Sequence, residues 1–180
     1  TIQILGREFR VACPEGEEKQ LLASVDYLNR RMKELRDTGK VTGNERIAIM
    51  AALTESTLRQ LANTGTYPES GGYPNDGNGS DHDSLGLFQM RPQSGWGSVA
   101  ELMDPEYQAA AFFGGPSGPN YPSPRGLLDI PRWQSMGKGE AAQAVEVSAY
   151  PDRYNNYEPV AETLLTTLTS GTSTSSTTAQ

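Results

Sequence analysis

The chain has 180 residues, 36% of them hydrophobic, with a formal net charge of -7 and a mean hydropathy of -0.56. That length fits one ordinary domain, or one domain plus a small appendage, and is enough to bury a core. The acidic balance argues against a nucleic-acid binder, which needs a basic footprint, and no apolar run approaches the roughly 18 residues of a membrane span.

The charge is uneven. Residues 1–53 hold nine Lys/Arg and eight Asp/Glu, a net of +1, whereas residues 54–180 hold six and fourteen, a net of -8. This change marks a compositional boundary near residue 53. The N-terminus carries no basic-then-apolar leader pattern. Cys13 is the single cysteine, which excludes an internal disulfide. The single histidine, His82, leaves little room for a zinc site or a Ser-His-Asp triad. No metal or organic cofactor is expected.

In chain order, Ile2, Ile4 and Leu5, then Phe9, Val11 and Cys13, alternate with polar residues on either side of Gly6-Arg7, the pattern of a β-hairpin that Pro14 ends. Over residues 15–37 the period changes. Leu21, Leu22, Val25, Leu28, Met32 and Leu35 recur at three and four, a helix with acids in its first turn and Arg36 in its last. Thr42 and Glu45 form a capping-box pattern that opens a second helix, with Ile47, Met50, Ala51, Thr54, Leu58 and Leu61 on one face.

Glu55 falls at the edge of that face, near the end of the helix, with Ala51, Leu58 and Ala62 a turn to either side. A carboxyl held there is partly desolvated, which raises its pKa and keeps it protonated. That is the state a general acid requires. For a helix glutamate taken by itself, a solvated position is the more ordinary alternative.

Residues 63–82 are a long loop rich in Gly, Asn, Asp and Pro. Its run from Asp76 begins like a calcium loop, but the sixth position is Asp81 rather than Gly and the twelfth is Leu87 rather than Glu, so solvated acids are the expectation. From Ser84 to Gln89 apolar Leu85, Leu87 and Phe88 return to the core through a glycine-permitted turn that enters a short strand or hairpin, with Gly86 allowing close backbone approach. Trp96, between Gly95 and Gly97, can stack on a sugar face or cover the edge of the core.

Ser98 caps a short helix, Asp104-Pro105 opens another that Gly114-Gly115 ends, and 126–133 is a helical turn. Residues 138–149 read as a helix of small residues. Tyr150, Tyr154 and Tyr157 form an aromatic cluster that lines a groove or plugs the core. A last helix starts at Pro159, and residues 169–180, nearly all Ser and Thr, read as a disordered tail.

Two resemblances meet at the second helix. The stretch 48–168 resembles the lysozyme-like domain of soluble lytic transglycosylases, especially the version within actinobacterial phage tape-measure proteins. The residues that carry this are Leu53-Thr54-Glu55-Ser56, Ser84-Leu85-Gly86-Leu87-Phe88-Gln89, Gly95-Trp96-Gly97, Asp129-Ile130-Pro131 and Ser148-Ala149-Tyr150-Pro151-Asp152-Arg153-Tyr154. The first fifty or so residues resemble the N-terminal head of ZapA, a bacterial cell-division protein that bundles FtsZ filaments. Here the carriers are Ile2-Gln3-Ile4-Leu5-Gly6-Arg7, Tyr27-Leu28-Asn29 with Arg31-Met32, and Arg46-Ile47-Ala48 with Met50-Ala51-Ala52-Leu53. The chain leaves the ZapA pattern at Thr54-Glu55-Ser56, where that family continues into a coiled coil. It reads as a chimera, natural or constructed, joined where two helices agree.

The expected fold is therefore mainly α (α+β). A β-hairpin and helix head (1–47) precedes a lysozyme-like helical domain with a small β-hairpin region (48–168), and the Ser/Thr tail follows. The first resemblance implies that Glu55 is the catalytic acid and that a peptidoglycan glycan strand is the substrate. It places Ser56, Ser84, Gly86, Leu87, Phe88, Gln89 and Trp96 along the sugar cleft, with Tyr150 and Tyr154 opposite. Such enzymes need no second carboxylate, because the substrate's own hydroxyl attacks and gives an anhydro product. A hydrolase needs a second acid at roughly 5–9.5 Å, for which Asp76, Asp81 and Asp83 are the candidates. The second resemblance implies FtsZ, or a second copy of the chain, as partner of the head. It points to the cytoplasm, whereas the first points to a phage virion or the cell wall.

Overall fold

The computed structural model describes residues 2–4, 7–9 and 44–170. The chain divides into two compact units, one of Gly43–Ala161 and one of Thr1–Thr42 with Glu162–Gln180. In the latter, β1 (Ile2–Ile4) and β2 (Arg7–Phe9) pair antiparallel, with Ile2 opposite Phe9 and Ile4 opposite Arg7. Cys13, the helix expected over 15–37 and the Thr42 half of the capping box lie outside the described residues.

The unit Gly43–Ala161 is mainly helical and is built around α1 (Asn44–Ser56). Met50, Ala51, Ala52 and Leu53 are four consecutive buried residues, so this helix is covered on several sides rather than along one stripe. It ends where the Leu58 N–H bonds to the Ala52 carbonyl (3.1 Å) and Thr57 and Leu58 turn left-handed, with φ of 59° and 60°. This closure is a Schellman-type stop without glycine. The apolar face expected to run on through Leu58 and Leu61 is therefore cut off at Ser56, and Leu58 is exposed.

Two short helices follow the long loop. α2 (Val99–Leu102) has a full capping box between Ser98 and Glu101, and α3 (Pro105–Phe113) is capped by the Asp104 carboxylate on the Glu106 N–H. α4 (Lys138–Glu146) stops three residues before the expected end, because Val147 takes a left-handed conformation and returns its N–H to Gln143. Tyr154 lies in a 3-10 segment, Pro151–Tyr157, which leads into α5 (Glu158–Ser170). Residues 171–180 of the expected tail lie outside the described residues. No helix among the described residues is long and apolar enough to cross a membrane.

The core joins α1 to α3, α4 and the 151–157 segment. Phe88 and Phe112 stack with centroids 4.6 Å apart. Leu85, Leu102 and Leu127 are fully buried and each contributes about 1.5–3 kcal/mol. Gly139 of α4 lies against Asn155 so closely that an added Cβ would meet its side chain at 2.2 Å. That approach brings α4 and the Tyr154 segment side by side.

The strand or hairpin expected over Ser84 to Gln89 is not formed. A single antiparallel bridge joins Leu85 to Met90, around a turn in which Gly86 and Gln89 have φ of 75° and 51°. The buried Gln108 side chain takes the place of a partner strand. It accepts the Phe88 N–H (2.9 Å) and donates to the carbonyls of Leu85 (2.9 Å) and Leu102 (2.5 Å). Only glycine fits at 86, since a Cβ there would overlap Gln108 and sit 2.6 Å from the Leu102 oxygen.

Candidate active site

A cleft of about 890 Å³ opens on the Gly43–Ala161 unit, and Glu55 lies in its wall. The position follows from the early end of α1, which leaves Glu55 in the last turn, half-buried, with its carboxyl at the cleft. Next to it the Ser56 hydroxyl donates to the Leu87 carbonyl (2.6 Å), reaches the Ala52 carbonyl (3.1 Å) and accepts the Arg59 N–H (3.1 Å). Ser56 is therefore buried behind the cleft, where it pins the helix end to the 85–90 turn.

The Tyr154 hydroxyl donates to Glu55 Oε1 at 2.5 Å from a side chain with no solvent exposure. Burial pushes the Glu55 carboxyl above its ordinary range. The Tyr154 hydrogen bond and the nearby Arg153 pull it back, and Asp81 pushes it up again. Burial and the adjacent Glu55 together push the Tyr154 hydroxyl up, so it stays protonated and donates.

The residues expected along the cleft divide in two. Ser84, Gln89, Trp96 and Tyr150 line it, and Tyr150 is 65% exposed, with Arg153 5.8 Å from its ring centre. Gly86, Leu87 and Phe88 are not in its wall. Gly86 and Leu87 form the supporting turn, and Phe88 packs into the core. Trp96 is fixed through its carbonyl, which accepts from the Tyr107 hydroxyl (3.0 Å) and Asn120 (2.8 Å), leaving its half-buried indole at the rim.

The three candidates for a second carboxylate also separate. Asp76 accepts the Gln60 N–H (2.8 Å) and serves the loop. Asp83 is buried and bonded to the Arg91 guanidinium and the Gln93 N–H (3.0 Å). Burial opposes its ionisation, but those two partners win and hold its carboxyl below the ordinary range. Asp81 alone faces the cleft, exposed and paired with His82 (2.8 Å).

Sequence reasoning passed over a further acid. Glu146, the last residue of α4, lines the same cleft as Glu55. Its Oε1 is closed off from solvent and has no hydrogen-bond partner. Burial, and then the nearby Glu55, push its carboxyl well above the ordinary range. A signal existed in the spacing. Gly139 and Ala142, at seven and four residues before it, are both buried, which places Glu146 on the inward face of α4.

Chemically, the arrangement offers a half-buried protonatable carboxyl with a fixed hydroxyl on one oxygen, beside a polar cleft with aromatic rims. The comparisons address the start of the chain. The family model described as cell division protein ZapA matches residues 1–62. The cell division protein ZapA of Pseudomonas aeruginosa is 45% identical over 53 residues, which cover 29% of this chain and 51% of the relative. The chain thus spans about half the length of the curated relative it matches. The family match runs through α1 and Glu55, past the point where the sequence was expected to leave that pattern.

Proposed function

We propose that the chain combines a cell-division-type N-terminal stretch with a glycan-cleaving cleft in which Glu55 is the general acid. The observation that carries the second half is the Glu55–Tyr154 pair at the cleft. Burial favours the protonated acid, and the Tyr154 hydroxyl occupies one carboxyl oxygen, leaving the other to present a proton. In this reading Glu55 protonates the glycosidic oxygen of a peptidoglycan strand as the C1–O bond breaks. It then takes a proton from the attacking hydroxyl and is restored. Attack by the substrate's own hydroxyl gives an anhydro sugar, whereas attack by water gives a reducing end. Asp76 and Asp83 do not line the cleft, so a hydrolytic route would have to draw its second acid from the exposed Asp81 or from Glu146, one oxygen of which is sealed from water.

The test is incubation of the full chain with purified peptidoglycan, with mass analysis of the products and Glu55→Gln in parallel. Anhydro products that disappear in the variant are expected. Unchanged products from the variant would sink the assignment of the acid.

The ZapA match supports a second reading, in which the chain works by docking. Residues 1–62 would bind FtsZ or a second copy of the chain, and the cleft would be inert. The stop of α1 at Ser56 bears on this reading, because the resembling family continues its second helix into a coiled coil. Docking without filament bundling is therefore the expected form of it. Co-sedimentation of the full chain with FtsZ filaments, read together with its mass in solution, tests this. A monomer that stays in the supernatant would remove it.

A further inference from the structure

Glu146 has no place in the single-acid route, yet it lies at the same cleft as the acid. α4, which carries it, packs on α1, which carries Glu55, and on the 151–157 segment, which carries Tyr154. The carboxyl of Glu146 has an oxygen sealed from water with nothing to bond to. Of the ionisable groups around the pair, Tyr154 donates to Glu55, and Arg153 and Asp81, both in the cleft wall, act on Glu55 with opposite sign. His82, Arg91 and Arg125 also line the cleft, with Arg91 bonded to Asp83 and His82 to Asp81. No cation among the described residues is bonded to Glu146, so a charge there goes unneutralised.

Two carboxyls that line one cleft on packed elements, one of them with no partner for a charge, ionise one after the other, and the pair titrates as a unit. We propose that Glu55 and Glu146 form a carboxyl dyad that holds one proton between them, so that Glu55 can still be loaded with a proton after the pair has taken on its first negative charge. This rests on the glycan-cleaving reading for its use, but not for its existence.

The step balances. At rest the proton lies on Glu146, whose sealed oxygen has no partner for a charge, and Glu55 carries the charge beside Tyr154 and Arg153; in the reactive form the proton has passed to Glu55 and the charge to Glu146. Glu55 gives its proton to the glycosidic oxygen as the C1–O bond breaks. It regains one from the attacking hydroxyl, and Glu146 ends the cycle as it began. Glu146 is thus a positioning residue for the proton, not a group that touches the reacting atoms.

The test compares the full-length wild type with Glu146→Gln, which keeps the shape of a neutral acid, and with Glu55→Gln. Infrared spectra near pH 7 read the protonated-carboxyl band, and a pH–activity profile on peptidoglycan reads its use. The wild type is expected to show the band and an alkaline shoulder of activity. Glu146→Gln should lose the band, and its alkaline limb should fall about one pH unit earlier or more. In Glu55→Gln the remaining band should titrate at lower pH, because the neighbouring charge is gone; this arm also decides the matter if Glu146→Gln does not fold. Absence of the band in the wild type, or a titration in Glu55→Gln that stays where it was, overturns the dyad. An unchanged alkaline limb in a folded Glu146→Gln overturns its role in proton supply. A wild type that cleaves nothing but shows the band and its shift would sink the glycan-cleaving reading and support the shared proton.

Discussion

Two carboxyl sites on the same unit receive opposite treatment. Glu55 and Asp83 are each withdrawn from water, and for each, burial works against the charged form. At Asp83 a guanidinium and a backbone N–H are fixed against the oxygens, and the charge wins. At Glu55 the partner is a neutral hydroxyl, Arg153 acts without a bond to the carboxyl, and a second acid lies in the same cleft. Burial alone does not decide which way a carboxyl's pKa moves. The identity of the group bonded to it does.

The largest expected effect tests the chemical side of that contrast. Glu55→Gln should lower glycan cleavage by about 10²–10⁴-fold, the range a positioned general acid contributes, while circular dichroism stays unchanged. Because burial raises the Glu55 carboxyl, the fold gives up stability as pH rises through its ordinary range. Removing that acid should therefore leave the melting temperature at pH 8 equal or higher.

The turn that supports both sites comes next. Gly86→Ala forces a Cβ into Gln108 and the Leu102 oxygen at a left-handed φ, and a loss of about 2–4 kcal/mol is expected in urea unfolding. A loss below ~1 kcal/mol would mean that Gln108 moves aside freely and does not act as the turn's partner.

Asp83→Asn should cost about 1–3 kcal/mol by weakening the bonds to Arg91 and Gln93. Here the sign is the reverse of that at Glu55. A carboxyl held below its ordinary range stabilises the fold above that range, and this stability is lost as pH falls. The variant should melt below wild type at pH 7 and approach it in acid. If Asp83→Asn and Glu55→Gln shift the melting temperature in the same direction at pH 8, the contrast between the two sites fails.

Tyr154→Phe is the smallest change, about 1 kcal/mol for the lost hydrogen bond. The hydroxyl pulls the Glu55 carboxyl down, so without it the alkaline limb of activity should move to higher pH. A limb that moves to lower pH would show that the hydroxyl does not stabilise the ionised acid.

Much of the scaffold could be read from local chemistry. The Ser98 and Asp104 caps, the proline at 105 and the stop at Gly114 each depend on residues within a few positions, and all are formed as expected. Glu55 near a helix end came from the same kind of reading. What was illegible is tertiary. The stop at Ser56 uses two left-handed residues, neither of them glycine, so no composition signal marks it. The 85–90 turn looks like a strand in its apolar content, but its backbone groups are satisfied by Gln108, about twenty residues away. Asp83 could not be excluded as a cleft acid without seeing Arg91 folded onto it. Glu146 was hidden among the small residues of α4.

The bond between Tyr154 and Glu55 joins residues 99 positions apart. On a ribosome adding ~5–20 residues per second, Glu55 is made roughly 5–20 s before its hydroxyl partner exists. Throughout that interval the Glu55 carboxyl lacks the hydroxyl that fixes one of its oxygens. A chain cut or stalled before residue 154 carries the acid without the group that orients it. The Glu55–Tyr154 bond therefore forms only after the Gly43–Ala161 unit has been made almost to its end.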